Sequence, residues 1–179
     1  MTGIPMRLEV FQNAYVVPDL NAALEHWTGN LGVGPFFVYE HIDLGATTYR
    51  GAPSALDASL ALAVAGNVQV ELIEQHSDTP SAYRDLFPKG SSGGFHHVGV
   101  WADDFDVAVA HYQALGYPLT SAGAPPAIGA RFAYMDASKD LGIMVELVER
   151  SKNINDFIDM LEGAAKDWDG SDPIRRSEF

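Results

Sequence analysis

Residues 12–20 read QNAYVVPDL and residues 97–105 read HVGVWADDF. Each is an apolar run that ends in an Asp followed by a large apolar residue. Gln12 and His97 stand 85 positions apart, as do Asp19 and Asp104. Outward from this pair the match continues, with NAALEHW (Asn21–Trp27) beside DVAVAHY (Asp106–Tyr112) and then Leu31-Gly32 beside Leu115-Gly116. A second pairing closes the copies: VELIE at Val70–Glu74 lies beside VELVE at Val145–Glu149, setting Glu71 opposite Glu146 at a separation of 75. The first copy therefore carries about ten more residues in its middle. They fall around Tyr49–Ser59, a Gly/Pro/Ala/Ser-rich stretch that reads as loop. The chain is an internal duplication, and each copy is one structural unit.

Each copy has the same grammar. Leu8–Val17 and Phe95–Ala102, rich in β-branched and aromatic residues, read as strands. Asp19, and Asp103 or Asp104, stand where a helix start needs a cap. Leu20, Ala23, Leu24 and Trp27 then form one helical stripe, and Phe105, Ala108, Val109 and Tyr112 the other. The Leu-Gly pairs suit a helix end. Three strands follow in each copy, near Phe36–Ile42, Leu60–Ala65 and Val68–Glu74, and near Pro118–Ala122, Ala130–Met135 and Ile143–Val148. The turn-rich PKGSSGG, Pro88–Gly94, joins the copies. Ile154, Phe157, Ile158, Leu161, Ala165 and Trp168 keep a helical period behind Asn153 as a cap, so a terminal helix covering a sheet face is expected, with the last residues on the surface. The expected organisation is 1–90 for the first module, 91–150 for the second and 151–179 for the helix and tail, in one compact domain.

Composition narrows the function classes. With 179 residues, 47% of them hydrophobic, the chain can bury a real core, and a formal charge of −13 opposes binding to nucleic acid or an anionic membrane surface. The sequence has no Cys, so any metal must be held by nitrogen and oxygen. The N-terminal MTGIPMRLEVF has no signal-peptide pattern and no long apolar span occurs, so a soluble, cytoplasmic protein is expected.

The duplication singles out four residues. Gln12 and His97 are equivalent near the starts of their strands, and Glu71 and Glu146 within the last strands. If the two sheets curl against each other, an amide oxygen, an imidazole and two carboxylates converge in one concavity. That set suits Zn²⁺, Ni²⁺, Co²⁺, Mn²⁺, Fe²⁺ or Mg²⁺. Strand alternation places Glu71 with Ile73 and leaves Glu74 on the other face with Val70 and Leu72. A lone strand Glu ordinarily faces solvent, but recurrence at matched positions favours a role. His96 should point to the opposite face from His97, and serves as a ligand only if the register slips by one. His26 and His111 read as structural, His41 and His76 have no partner in the repeat, and Arg50 and Arg131 read as surface residues. Tyr39, Tyr49, Trp101 and Tyr134 read as core, with an apolar pocket as the alternative.

FQNAYVVPDLNAALEHWTGNLGVGPFF and FHHVGVWADDFDVAVAHYQALGYPL resemble the module starts of the vicinal oxygen chelate superfamily, the glyoxalase, bleomycin-resistance and extradiol dioxygenase group. VQVELIEQ and IMVELVER resemble its module ends. The resemblance covers roughly Leu8 to Arg150. It implies an α+β fold of two βαβββ modules paired into a curved, cleft-forming mixed sheet, here with an added C-terminal helix. It implies metal ligands at Gln12, Glu71, His97 and Glu146, a set similar to that of some glyoxalase I enzymes and near that of methylmalonyl-CoA epimerase. A homodimer acting on a small-molecule substrate is also implied.

The expected chemistry is proton abstraction alpha to the carbonyl of a metal-chelated substrate, giving isomerase, epimerase or lyase activity. The resemblance gives Glu146 the role of proton carrier, with Glu71 on the opposite side. An extradiol dioxygenase needs two His and one carboxylate on Fe²⁺, and Gln12 departs from that pattern. The alternative from another class is a metal-free protein that binds a drug or metabolite between the modules.

Overall fold

The computed structural model describes residues 9–176. The first half runs β1 (Val10–Val16), α1 (Leu20–Gly29), β2 (Phe36–Tyr39), β3 (Thr47–Tyr49), β4 (Ala52–Ser54), β5 (Ala58–Ala65), β6 (Val68–Gln75) and α2 (Ala82–Leu86). The second runs β7 (Gly94–Ala102), α3 (Phe105–Ala114), β8 (Leu119–Gly123), β9 (Phe132–Asp136), α4 (Ser138–Leu141) and β10 (Met144–Glu149). The tail adds α5 (Lys152–Ala165) and β11 (Ile174–Arg176). The expected strand start at Leu8 lies outside the described residues.

All eleven strands form one mixed sheet, in the order β11-β2-β5-β6-β1-β7-β10-β9-β8-β3-β4. Read outward from the centre, each half repeats one order: β1, β6, β5, β2 on one side and β7, β10, β9, β8 on the other. Within each half the first and last strands are parallel, β1 with β6 and β7 with β10, and the halves meet where β1 and β7 pair antiparallel. The parallel pair needs a crossover, which α1 and α3 provide. Asp19 and Asp104 cap these helices by accepting from Ala22 N and Val107 N. The fold is thus the α+β pairing of two βαβββ modules into a curved mixed sheet with a C-terminal helix.

Side-chain alternation sorts the core into layers. Val70 and Leu72 pack with Leu20 and Leu24 under α1, while Val145 and Leu147 pack with Phe105 and Ala108 under α3. The intervening positions face a shared interior where Ala14, Tyr39, Leu60, Leu62, Ile73, Phe132, Tyr134 and Met144 meet. Glu71 and Glu146 alternate onto that interior.

Three expectations need correction. The Tyr49–Ser59 stretch is not loop throughout: its start closes the β3–β4 hairpin, and its end opens β5. β3 pairs with β8 of the other half, so the extra residues of the first copy form a strap across the domain. Ser151, not Asn153, caps α5 by accepting from Ile154 N. The tail is more than a surface segment, because β11 adds in parallel to β2 through Ile174 and Phe36. Gly34 makes room for this return: a Cβ there would lie 2.8 Å from the Trp168 ring.

Candidate functional site

Gln12, Glu71, His97 and Glu146 come together at the floor of the interior. They are 5%, 7%, 0% and 8% exposed, so their polar atoms must find partners among themselves or in a ligand. His97 Nε2 lies 3.2 Å from Gln12 Oε1, 3.5 Å from Glu71 Oε2 and 3.2 Å from Glu146 Oε2. The sheet register produces this: Gln12 pairs with Gly99 and Ala14 with His97 across β1 and β7, while Glu71 sits beside Ala14 and Glu146 beside Gly99. A small residue thus faces each donor. A Cβ at Gly99 would come within 2.8 Å of Gln12 Oε1, so position 99 must lack a side chain for Gln12 to occupy its place.

Two bulges shape the floor. Between β1 and β7 the register shifts at Phe11 and again at His96, residues that match in the repeat. A bulge sets two residues of one strand against one of its partner, which breaks strict alternation. Phe11 therefore lines the cavity together with Gln12. His96 does not point away from His97 as the period of two demands: both imidazoles contact Tyr134, at centroid distances of 5.6 Å and 5.0 Å.

His96 orients His97. Its Nε2 lies 3.0 Å from the Ala82 carbonyl, which can only accept, so Nε2 carries a proton and donates it. Burial, with His97 alongside, lowers the His96 pKa to about 3, so its Nδ1 is a lone pair. His97 Nδ1, 2.9 Å away, must donate to it. In the neutral ring this leaves the lone pair of His97 Nε2 facing the oxygens of Gln12, Glu71 and Glu146. Gln12 is oriented similarly, its Nε2 donating to Gln69 Oε1 at 2.5 Å, so that its oxygen faces inward.

With His97 neutral in this tautomer, its Nε2 lone pair joins the Gln12 oxygen and the two carboxyl groups as donors turned toward one region. Burial and the neighbouring Glu146 push the Glu71 carboxyl well above the usual carboxylate range. No Lys or Arg is among the described residues lining the cavity. The donor set, its charge and its burial fit a divalent cation, and the imidazole-to-imidazole contact is the outer-shell support such ligands have.

Above the floor is a cavity of about 100 Å³ walled by Tyr39, Leu44, Leu60, Phe132, Ile154 and Phe157. The last two come from α5, so the tail helix closes one side. The Tyr83 and Tyr134 hydroxyls, 3.1 Å apart, form a second buried polar pair beside the carboxylates. Burial raises both phenol pKa values, keeping the hydroxyls protonated as donors. Of the aromatics read as core, Tyr39 and Tyr134 line the cavity. Trp101 instead stacks on Phe11, and Tyr49 reaches Asp85 outside. Arg131 is a surface residue paired with Glu149 and Asp106. Glu74 caps α1 by accepting from Leu20 N. Sequence reasoning missed Gln69, although its place two residues before Glu71 put it on the same face. It also misjudged His96, for which no local pattern exists.

Among the described residues no helix is long and apolar enough to cross a membrane. A family profile described as the glyoxalase/bleomycin resistance protein/dioxygenase superfamily matches residues 11–134. A 2-epi-5-epi-valiolone epimerase from Actinomyces sp is 31% identical over 157 residues, covering 82% of this chain and 81% of that protein. Among solved structures, methylmalonyl-CoA epimerase from Mycobacterium tuberculosis shares the fold with a TM-score of 0.55 at 21% identity, over 82% of this chain and 91% of that one. A hypothetical protein from Bacillus halodurans does so with a TM-score of 0.57 at 18% identity, over 81% and 96%. The duplicated sheet, its shared interior and the profile spanning most of both modules agree: the chain belongs to the glyoxalase/bleomycin resistance protein/dioxygenase superfamily.

Proposed function

We propose that this protein is a divalent-metal-dependent epimerase acting by proton transfer at the carbon next to a carbonyl. The observation that carries the reading is the convergence of His97 Nε2, Gln12 Oε1 and two buried carboxylates, with the hydrogen-bond chain Ala82–His96–His97 directing a lone pair inward. A metal-free binding protein would have only protons to offset two buried carboxyl groups set against one imidazole. Gln12, Glu71, His97 and Glu146 would hold the ion, which when bound would withdraw electron density from the substrate carbonyl and acidify the neighbouring C–H.

The chain's own residues supply the proton chemistry. Glu146, as a carboxylate, takes the proton from one face of the carbon, and the electron pair moves into the carbonyl. Glu71 reaches His97 Nε2 from the other module, and its raised pKa makes the protonated form accessible; in this reading it gives a proton to the opposite face. The configuration inverts, and both carboxyls reset by exchange with water. Tyr83 and Tyr134 are placed to donate to substrate oxygens, and the apolar walls exclude bulk water. A cavity of this size without a lining cation suits a compact, uncharged carbonyl compound. The relative that acts on 2-epi-5-epi-valiolone supports this substrate class.

The test is metal analysis of untagged protein prepared without chelators, followed by incubation with 2-epi-5-epi-valiolone in D₂O. Near-stoichiometric metal and deuterium entering at the inverted carbon support the reading. Protein that stays metal-free after exposure to Zn²⁺, Ni²⁺ and Mn²⁺ overturns the metal dependence. Metal-loaded protein that incorporates no deuterium overturns epimerisation of this substrate.

A further inference from the structure

His41, Asp57 and His76 gather at the far end of the first half's sheet, away from the cavity floor. They come from three separate places: the turn after β2, the residue before β5 and the residue after β6. Those strands are neighbours in the sheet, so their ends lie side by side. One nitrogen of each imidazole and one carboxylate oxygen lie within 4.8 Å of one another, the one such trio of His, Asp or Glu among the described residues. His41 Nδ1 is 2.7 Å from Asp57 Oδ1, and the two imidazoles stand with centroids 4.6 Å apart at 34°.

The backbone holds this arrangement. His76 N donates to Asp57 O at 2.9 Å, and Ile42 N to Ala58 O at 3.0 Å, tying the three segments together. His41 adopts φ 49°, a left-handed conformation uncommon outside glycine, while its N–H donates to Ser59 Oγ. The same Ser59 Oγ is 2.7 Å from His76 Nε2, so one hydroxyl links both histidines. Glu74 Oε1 lies 3.6 Å from His76 Nδ1, adding negative charge. The chain's charge of −13 favours cations at its surface.

We propose that His41, Asp57 and His76 form a second metal site, separate from the cavity, for a borderline divalent cation such as Zn²⁺. Two imidazoles and a carboxylate are a donor set that ions of the Zn²⁺, Ni²⁺ and Co²⁺ type accept, with water at the remaining positions. The His41 and Asp57 side chains are 65% and 45% exposed, so the ion can enter without rearrangement of the core. Such an ion would fasten the segment that starts at His41. That segment carries Ile42 and Leu44 into the cavity wall and then enters the β3–β4 strap. The second site therefore stiffens one wall of the cavity without touching the substrate.

The experiment is equilibrium dialysis of the untagged full chain against Zn²⁺, with metal per chain counted and the melting temperature recorded. The comparison is a His41→Asn, His76→Gln variant. Asn tolerates the left-handed backbone, and a melting curve without metal checks the fold. A second variant, Glu71→Gln with Glu146→Gln, disables the cavity set. Two equivalents in the wild type, one in each variant, and a Zn²⁺-induced rise in melting temperature lost in the histidine variant support the proposal. If the cavity binds no metal, the proposal still predicts one equivalent in the wild type, kept in the glutamate variant and lost in the histidine variant. Equal stoichiometry in the wild type and a folded histidine variant overturns it.

Discussion

The two halves of the sheet are built alike and equipped differently. In the second half β7 brings His97 to the cavity floor and backs it with a second imidazole, His96, whose other nitrogen is anchored on the Ala82 carbonyl. In the first half β1 brings Gln12 to the equivalent place and backs it with the amide of Gln69. Each half adds one carboxylate, Glu71 or Glu146, from the strand parallel to its first. The backbone symmetry places the four groups around one point, and the chemical asymmetry gives that point one imidazole and one amide. Duplication supplied the geometry, and divergence of single side chains supplied the chemistry.

The sharpest way to break this comparison is to neutralise the carboxylates one at a time. Glu146→Gln and Glu71→Gln should each lower epimerisation by about 10²–10⁴-fold. They should differ in kind: Glu146→Gln abolishes solvent deuterium exchange starting from one epimer, and Glu71→Gln from the other. Equal loss of exchange from both epimers in both variants would refute the two-base arrangement.

The supporting residues come next. His96→Phe keeps the bulk but removes the hydrogen bond that fixes the His97 tautomer, and should weaken metal binding by about 10–100-fold. Gln69→Leu, the matching change in the first half, should cost less, because the Gln12 amide can find its oxygen by rotation whereas a wrong imidazole tautomer presents N–H to the ion. Metal competition with a chromophoric chelator measures both. A larger effect from Gln69→Leu would reverse the proposed ranking of the halves.

Packing across the seam is the third point of attack. Gly99→Val places side-chain atoms where Gln12 lies, and overpacking of this kind typically costs about 1–3 kcal/mol, read as a lower urea midpoint at unchanged slope. The smallest effect belongs to the strap. Arg50 bridges to Asp85 at 2.9 Å, but its side chain is half exposed, so Arg50→Ala should change stability by less than about 1 kcal/mol and leave metal binding unchanged.

Much of this was legible in the sequence. The paired modules follow from QNAYVVPDL and HVGVWADDF, and the helices from Asp19, Asp104 and the stripes behind them. Glu71 and Glu146 were separable from Glu74 and Glu149 by alternation alone, because β6 and β10 are regular strands whose neighbours Val70, Leu72, Val145 and Leu147 must turn to the helices. The gathering of Gln12, Glu71, His97 and Glu146 followed once the modules were paired.

The sequence by itself thus determined the repeat, the module order and the residues that alternate inward, since these depend on local periods and on matching positions. Only the tertiary structure decided what hangs on pairing between distant strands. The bulges at Phe11 and His96 arise from the β1–β7 register, and no local period records an inserted residue whose meaning lies in its partner. The β3–β4 strap is short and lacks a clear apolar alternation, and it joins the sheet through the pairing of β3 with β8 of the other half. His41, Asp57 and His76 meet because β2, β5 and β6 end together, a proximity set by topology across residues far apart along the chain.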